Sequence, residues 1–342
     1  MESSPNQWVK FFCFFFSKKR SAFLLAFESC DKRHAGIRVT GFDRLAGLLA
    51  EWRQQRAGTD DMGVLEGKIA IITGATSGIG ARSAELFIAE GATVVLSGRR
   101  ADVGAAIAAR LGPNASFVAA DVAVEADVRG LIDGAAARFG RIDVLFNNAG
   151  HGLPPFRIAD TDIDTFDRML AVHVRAVVLG MKYVAPVMQA QRWGSIITTA
   201  SVAGYRAGGS SHAYCTAKAA VLHLTHSVAA ELGEDGVRVN SISPGAIVTG
   251  IFGKGIGLDP GVADRETAAL EARFMKAQPI PRAGLPDDIA RAAVFLASDA
   301  SSFINGTDIV VDGGAIAGTR FSQGIAGRKE MTSAIERAAL GD

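Results

Sequence analysis

The stretch 68–80 limits the fold more than any other part of the chain. Residues 68–73 (K-I-A-I-I-T) are a β-branched run, the pattern of a strand buried on both faces. The run enters Gly74-Ala75-Thr76-Ser77-Gly78-Ile79-Gly80, and a helical pattern continues to about Glu90. Strand, glycine turn and helix in that order make a dinucleotide-binding loop credible. Glycines let the backbone approach a pyrophosphate, and a helix N-terminus favours its negative charge. The spacing is G-x-x-x-G-x-G rather than G-x-G-x-x-G. A plain strand-to-helix turn can also carry glycines, so the loop acquires its meaning from the motifs downstream of it in the chain.

Residues 93–97 supply a second strand and complete a β-α-β unit. An acidic residue is expected at its end, to grip the adenine ribose hydroxyls. Ser97-Gly98-Arg99-Arg100 stands there instead. Arg99 and Arg100 suit a ribose 2′-phosphate, which points to NADP over NAD; the bland alternative is two solvated arginines. The pattern then runs through a helix at 103–111, a strand at 116–120 closed by Asp121-Val122, and a helix at 127–139. A short buried strand at 144–146 ends in Asn147-Asn148-Ala149-Gly150.

A second chemical cluster lies at 201–218. Ser201 closes the apolar run 195–200 (S-I-I-T-T-A), which reads as a buried strand. Tyr214 and Lys218 are four residues apart in a helical pattern at 211–232, so they share one helix face. An ammonium beside a phenol favours the phenolate and lowers its pKa, which makes the tyrosine a usable acid or base. Such pairs also occur on exposed helices, and spacing alone does not distinguish the two cases.

The chain of 342 residues has room for one large α/β domain or two smaller ones. Its 36 basic and 35 acidic residues leave no electrostatic footprint for nucleic acid. Cys13, Cys30 and Cys215 show no paired spacing and no Cys/His cluster, so neither a disulfide framework nor a metal site is indicated. A reducing cytoplasm is the expected location. Residues 1–61 differ from the rest. The apolar run 9–16 is followed by Lys18-Lys19-Arg20, is too short to span a bilayer, and has no Ala-x-Ala cleavage site. Residues 43–56 could form a short amphipathic helix. The segment reads first as a disordered or artefactual extension with Met62 as the natural start; a partner-binding arm and an organelle presequence are the alternatives.

Taken in order, these motifs resemble the classical branch of the short-chain dehydrogenase/reductase family, over about 63–323. Thr73-Gly74-x-x-x-Gly78-x-Gly80 matches the family's cofactor loop, with Thr76, Ser77 and Ile79 inside it. Asp121, with Val122 after it, matches the acid that holds the adenine. Asn148, Ala149 and Gly150 match the motif that stabilises the central sheet and lines the cofactor. Ser201, Tyr214 and Lys218 match the catalytic set. Pro244-Gly245, with Ile247 and Thr249, matches the segment that holds the nicotinamide carboxamide, and 309–314 (I-V-V-D-G-G) matches the last strand. One position departs. Where the family has a fourth catalytic residue, an asparagine that holds a relay water, this chain has His173. An imidazole can also donate and accept, so an altered relay is the expectation, although a protonated ring would repel Lys218.

The resemblance implies a single doubly wound Rossmann-type domain, α/β in class, with a seven-stranded, mostly parallel sheet flanked by helices. It would span 62–323 and leave 324–342 as a tail that could form a solvated helix. The long helix at 164–191 is expected to be interrupted late, at Pro186. The region 250–278 would be a lid with one helix at 260–276, and 286–297 would pack near the last strand. The implied activity is an NAD(P)-dependent oxidoreductase interconverting a secondary alcohol and a ketone. Ser201 would hold the substrate oxygen, Tyr214 would be the acid/base, and Lys218 would tune Tyr214 and bind the nicotinamide ribose. Apolar lining at 151–156, 202–205 and 251–252 suits a cyclic or bulky apolar substrate, with His151, Arg206 and His212 as polar anchors. Association as a homodimer or homotetramer through the long helices, with no membrane or nucleic-acid partner, completes the expectation. Two rivals remain: a catalytically weak NADP(H)-binding sensor, motivated by His173, and an interaction protein working through the N-terminal arm.

Overall fold

The computed structural model describes residues 63–340. The expectations for 1–61, including the helix at 43–56, lie outside the described residues. Seven strands form one sheet in the order β3-β2-β1-β4-β5-β6-β7. They are β1 (Ile69–Thr73), β2 (Thr93–Gly98), β3 (Ala115–Ala119), β4 (Val144–Asn147), β5 (Gly194–Thr199), β6 (Val237–Pro244) and β7 (Asp308–Val311). Every pairing is parallel, β6 with β7 included. The sheet is thus wholly rather than mostly parallel. Strand order reverses between β1 and β4, and the carboxyl ends of both open into one crevice, the usual ligand position in an open α/β sheet.

Parallel strands need crossovers that cover both faces, and the apolar residues divide accordingly. On one face α3 (Glu125–Phe139), a rod made of α4 (Ile163–Leu170), a π-helical turn (Ala171–Arg175) and α5 (Ala176–Gln191), and α6 (His212–Leu232) bury Leu131, Val184, Met188 and Val221 against Ile71, Leu145 and Ile196. On the other, α1 (Gly78–Ala89), α2 (Ala101–Leu111) and α10 (Pro286–Ala297) bury Phe87, Ile289 and Leu296 against Ile72, Leu96 and Phe146. Caps set several ends. Gly140 stops α3 in the left-handed conformation at φ 71°, and the Asp162 carboxylate accepts from the Thr165 N–H at 2.8 Å to start α4.

Three helical expectations change. The helix does not stop at Pro186: fully buried Val184 and Met188 hold α5 against the sheet on either side of it, and it runs to Gln191. The lid holds three short helices, α7 (Ile251–Gly255), α8 (Pro260–Arg265) and α9 (Ala268–Phe274). Glu266 leaves helical geometry (φ −87°, ψ 63°), which divides α8 from α9. The terminal helix α11 (Phe321–Leu340) starts three residues before the expected tail and buries none of its residues.

At the amino end of the sheet, far from the crevice, the buried Asp143 carboxylate accepts from the Ile69 N–H at 2.9 Å and joins the start of β1 to β4. Asp143→Ala leaves that N–H without its partner, and urea unfolding should show a loss of about 1–3 kcal/mol. Cofactor affinity, measured at the opposite edge, should stay unchanged.

Candidate active site

A short chain of hydrogen bonds builds the crevice. The Asn148 amide Nδ2 donates to the Thr73 carbonyl at 3.0 Å, and Thr199 Oγ1 donates to Asn148 Oδ1 at 3.1 Å. Thr73 Oγ1 accepts from the N–H groups of Asn148 and Ala149 at 3.0 and 3.1 Å. The ends of β1, β4 and β5 are therefore tied through one asparagine. The glycine loop packs onto this tie. A Cβ on Gly74, whose φ is +67°, would stand 2.7 Å from Ala149 Cα, and one on Gly80 would stand 2.6 Å from Asn148 Nδ2. These two positions accept only glycine.

Ser201 follows β5. It caps the 3-10 turn Val202–Gly204, its Oγ accepting from the Ala203 N–H at 3.1 Å. Helix α6 starts at Ser211, whose hydroxyl accepts from the Tyr214 N–H at 3.2 Å. Tyr214 and Lys218 then lie one turn apart on its inner face. Lys218 is buried; its Nζ donates to the Thr199 carbonyl at 2.6 Å and lies 5.6 Å from the centroid of the Tyr214 ring. Ser201, Tyr214 and Lys218 are thus brought to one place.

The electrostatics differ from the expectation for the phenol. Burial pushes Tyr214 above its ordinary pKa of 10.0, and the Ser201 hydroxyl beside it pulls the other way more weakly. Burial also lowers the Lys218 ammonium to about 7. A low-dielectric site disfavours either ion alone.

His173 sits at the π-helical turn and is buried. Its ring lies 5.3 Å, centroid to centroid, from both Tyr214 and His151. Nε2 faces the His151 N–H at 3.1 Å and the His151 carbonyl at 3.0 Å, while Nδ1 has no partner among the described residues. Burial first, then the neighbouring Lys218 and His151, hold the ring well below the usual imidazole range. A neutral ring removes the expected repulsion of Lys218.

The remaining predicted residues line the crevice unequally. Arg99 is exposed and has no hydrogen-bond partner among the described residues. Arg100 is engaged: its Nη2 donates to the Thr76 carbonyl and hydroxyl at 3.0 and 3.1 Å. Asp121 follows β3, and its Oδ1 accepts from the Ala123 N–H at 3.0 Å, across Val122. Beyond β6, Gly245 donates to the Val311 carbonyl at 3.0 Å, Ile247 bridges to Gly284, and the Thr249 methyl approaches Gly78. Ser77 caps α1 without a side-chain hydrogen bond, and the first turn of α1 has no acidic residue. Tyr205, expected in the substrate lining, has a polar partner. It is exposed, and its hydroxyl donates to Asp308 Oδ2 at 3.0 Å, at the start of β7. Arg206 and His212 are exposed. Among the described residues, no group of three or more His, Cys, Asp or Glu side chains is placed to hold a metal ion.

Known proteins show the same organisation. A family model described as Enoyl-(Acyl carrier protein) reductase matches residues 74–315. Momilactone A synthase of Oryza sativa subsp. japonica is 44% identical over 254 residues, which is 73% of this chain and 90% of that protein. (+)-Borneol dehydrogenase 1 of Salvia officinalis is 38% identical over 73% of this chain and 94% of its own. The crystal structure of levodione reductase superposes with a TM-score of 0.67 at 34% identity, covering 75% of this chain and 99% of that one. The chain belongs to the short-chain dehydrogenase/reductase family. It is accordingly an oxidoreductase of the alcohol–ketone type, in a family that uses NAD or NADP.

The residues present fit such a cofactor. The N–H groups of the first turn of α1 are not taken up by a side-chain cap or faced by a first-turn carboxylate, and a helix terminus in that state favours a pyrophosphate. Sequence reasoning named Thr73 as the start of the cofactor loop but not as a partner of Asn148, and it missed Thr199, which meets both Asn148 and Lys218. It also missed Lys254 and Asp264 on the lid. A threonine at the end of each strand flanking β4 was the available signal for the first pair; the lid residues gave none.

His173 fills the space over Gly150 so closely that a Cβ there would stand 2.6 Å from its Cε1. Gly150→Ala should cost about 1–3 kcal/mol by overpacking, read as a lower melting temperature. His173→Asn in the same chain should restore most of the loss, because the smaller side chain vacates the contact. Lys218 gives a second test. Its folded pKa of about 7 lies below its ordinary 10.5, so between those values the unfolded chain binds more protons and stability falls as pH is lowered. Lys218→Met should flatten the stability curve between these limits, measured by denaturant unfolding at several pH values.

Proposed function

We propose that the protein interconverts a secondary alcohol and a ketone on a bulky, largely apolar, cyclic molecule, with NADP(H) as its preferred cofactor. The observation that carries this reading is the convergence of Ser201, Tyr214 and Lys218 beside the glycine loop, at the carboxyl end of β5. When bound, the cofactor supplies or accepts the hydride. The Ser201 hydroxyl orients the substrate oxygen. Tyr214 gives its proton to the carbonyl oxygen in reduction, or takes the proton of the alcohol in oxidation. Burial keeps the phenol protonated, which prepares it as an acid. Lys218 stabilises the phenolate once it forms, and its Nζ is held in place by the Thr199 carbonyl. The neutral His173 ring, edge-on to Tyr214, stands where a relay group is expected.

The preference for NADP rests on the end of β2. Gly98 offers no carboxylate to repel a 2′-phosphate, and the Arg99 guanidinium is free among the described residues. The substrate class rests on the walls. Leu153, Phe166, Leu170 and Val174 pack with Tyr214 against the buried Met169, Ala213 and Ala217, and on the lid the Phe252 and Phe274 rings are 5.2 Å apart. The names of two similar proteins, (+)-borneol dehydrogenase 1 and levodione reductase, point to cyclic substrates as well. A cytoplasmic homodimer or homotetramer joined through α5 and α6 belongs to the same reading. A second reading, cofactor binding with little turnover, rests on His173 alone, whose buried Nδ1 has no partner among the described residues.

The test is nicotinamide absorbance on the full chain, with NADP or NAD and cyclic secondary alcohols, then the reduced cofactors and matching ketones. Tyr214→Phe should lower kcat by about 10²–10⁴-fold while cofactor binding by fluorescence is retained. Undiminished turnover in Tyr214→Phe would remove the tyrosine from the mechanism. Should wild type bind cofactor without turnover, recovery in His173→Asn would favour the second reading.

A further inference from the structure

The lid meets the cofactor loop through charges for which the hydride chemistry has no use. Lys254 on α7 donates to Ser77 Oγ at 2.9 Å and pairs with Asp264 Oδ1 at 2.7 Å. Asp264 on α8 reaches the Arg100 guanidinium through its other oxygen at 3.3 Å. Arg100 is itself fixed on Thr76. One lid carboxylate therefore bridges two cations, and each cation grips a hydroxyl residue of the loop. The three charged side chains are only 24–28% exposed, so their attraction is screened less than that of a surface pair.

To Arg100 and Lys254, a clamped carboxylate and a clamped phosphate are the same kind of partner, an anion taking several charge-assisted hydrogen bonds. The position matches too. Arg100 and Thr76 lie where β2 ends, which in a β-α-β dinucleotide site is the place of the adenine ribose. Resting on the NADP(H) reading above, we propose that Asp264 is an internal stand-in for the cofactor's 2′-phosphate, exchanged for it at Arg100 and Lys254 when NADP(H) binds. The lid thereby becomes part of cofactor selection. A 2′-phosphate carries enough charge to take both cations from the carboxylate. NAD(H) lacks that group and leaves Asp264 where it is. Lys254 is assigned as a cofactor-specificity residue delivered by the lid, 177 positions from Ser77 in the chain.

Fluorescence titration of the full-length protein with NADPH and NADH tests this, with melting curves as the check on folding. Asp264→Asn removes the competing anion and should tighten NADPH binding by about tenfold while leaving NADH nearly unchanged. Lys254→Gln should weaken NADPH by a similar factor and NADH much less. Equal effects of either substitution on the two cofactors, or weaker NADPH binding in Asp264→Asn, would overturn the assignment. The wild-type titrations report separately on the cofactor preference. Tighter NADH than NADPH would refute that preference, whereas the stand-in is judged by how Asp264→Asn changes the ratio. If the variants do not fold, the wild type still decides. Adenosine 2′,5′-bisphosphate should change the rate of tryptic cleavage within 250–278 and 5′-AMP should not; matching effects would overturn the proposal.

Discussion

The tie made by Asn148 is the constraint on which the rest of the site depends. A parallel sheet aligns its strands but does not fix how their carboxyl ends diverge. Here one amide spans that divergence, donating to Thr73 at the end of β1 and accepting from Thr199 at the end of β5. Each partner then positions something else. Thr73 hands the chain to Gly74, and Gly74 and Gly80 rest on Ala149 and Asn148 too closely for any side chain. The Thr199 carbonyl receives Lys218, and two residues later Ser201 begins the turn that leads to α6. Cofactor loop, amine and serine are thus referred to a single side chain. Asn148 serves as a positioning residue here; a direct cofactor contact is not needed to explain its place.

Much of this was legible in the sequence, for physical reasons. Buried parallel strands must be apolar throughout, so 68–73, 144–146 and 195–200 stood out as runs. A glycine loop between strand and helix has few purposes, and Tyr214 and Lys218 can face one way only if 211–232 is helical, which α6 is. What the sequence hid depends on tertiary context. Arg99 and Arg100 look equivalent in a row, yet one is exposed and the other is held by Thr76. Tyr205 reads as apolar lining, and its polar partner, Asp308, is 103 residues away. Pro186 reads as a break until the burial of Val184 and Met188 overrides it. The lid reads as one helix at 260–276, whereas it folds as short helices whose order comes partly from ion pairs such as Lys254–Asp264.

The altered pKa values of the site are best understood together. Tyr214 is pushed up and Lys218 down by the same cause, removal from water. Each shift taken alone looks adverse to catalysis, since it opposes both phenolate and ammonium. The two ions need not form alone. With Lys218 beside the Tyr214 ring, a proton leaving the phenol creates the charge that favours protonation of the amine, and the cost of burying either ion falls when both are present. The site therefore resists charging one residue at a time and favours charging the pair. A histidine can be accommodated in that environment only as a neutral ring, and burial and the adjacent amine keep His173 in that state. Its size has a further consequence. The ring fills the volume over Gly150 and stands edge-on to Tyr214, so the departure from asparagine keeps a polar group at this point of the helix while closing space around the phenol. Packing and proton chemistry meet in that one residue, and the π-helical turn Ala171–Arg175 is the backbone adjustment that presents it.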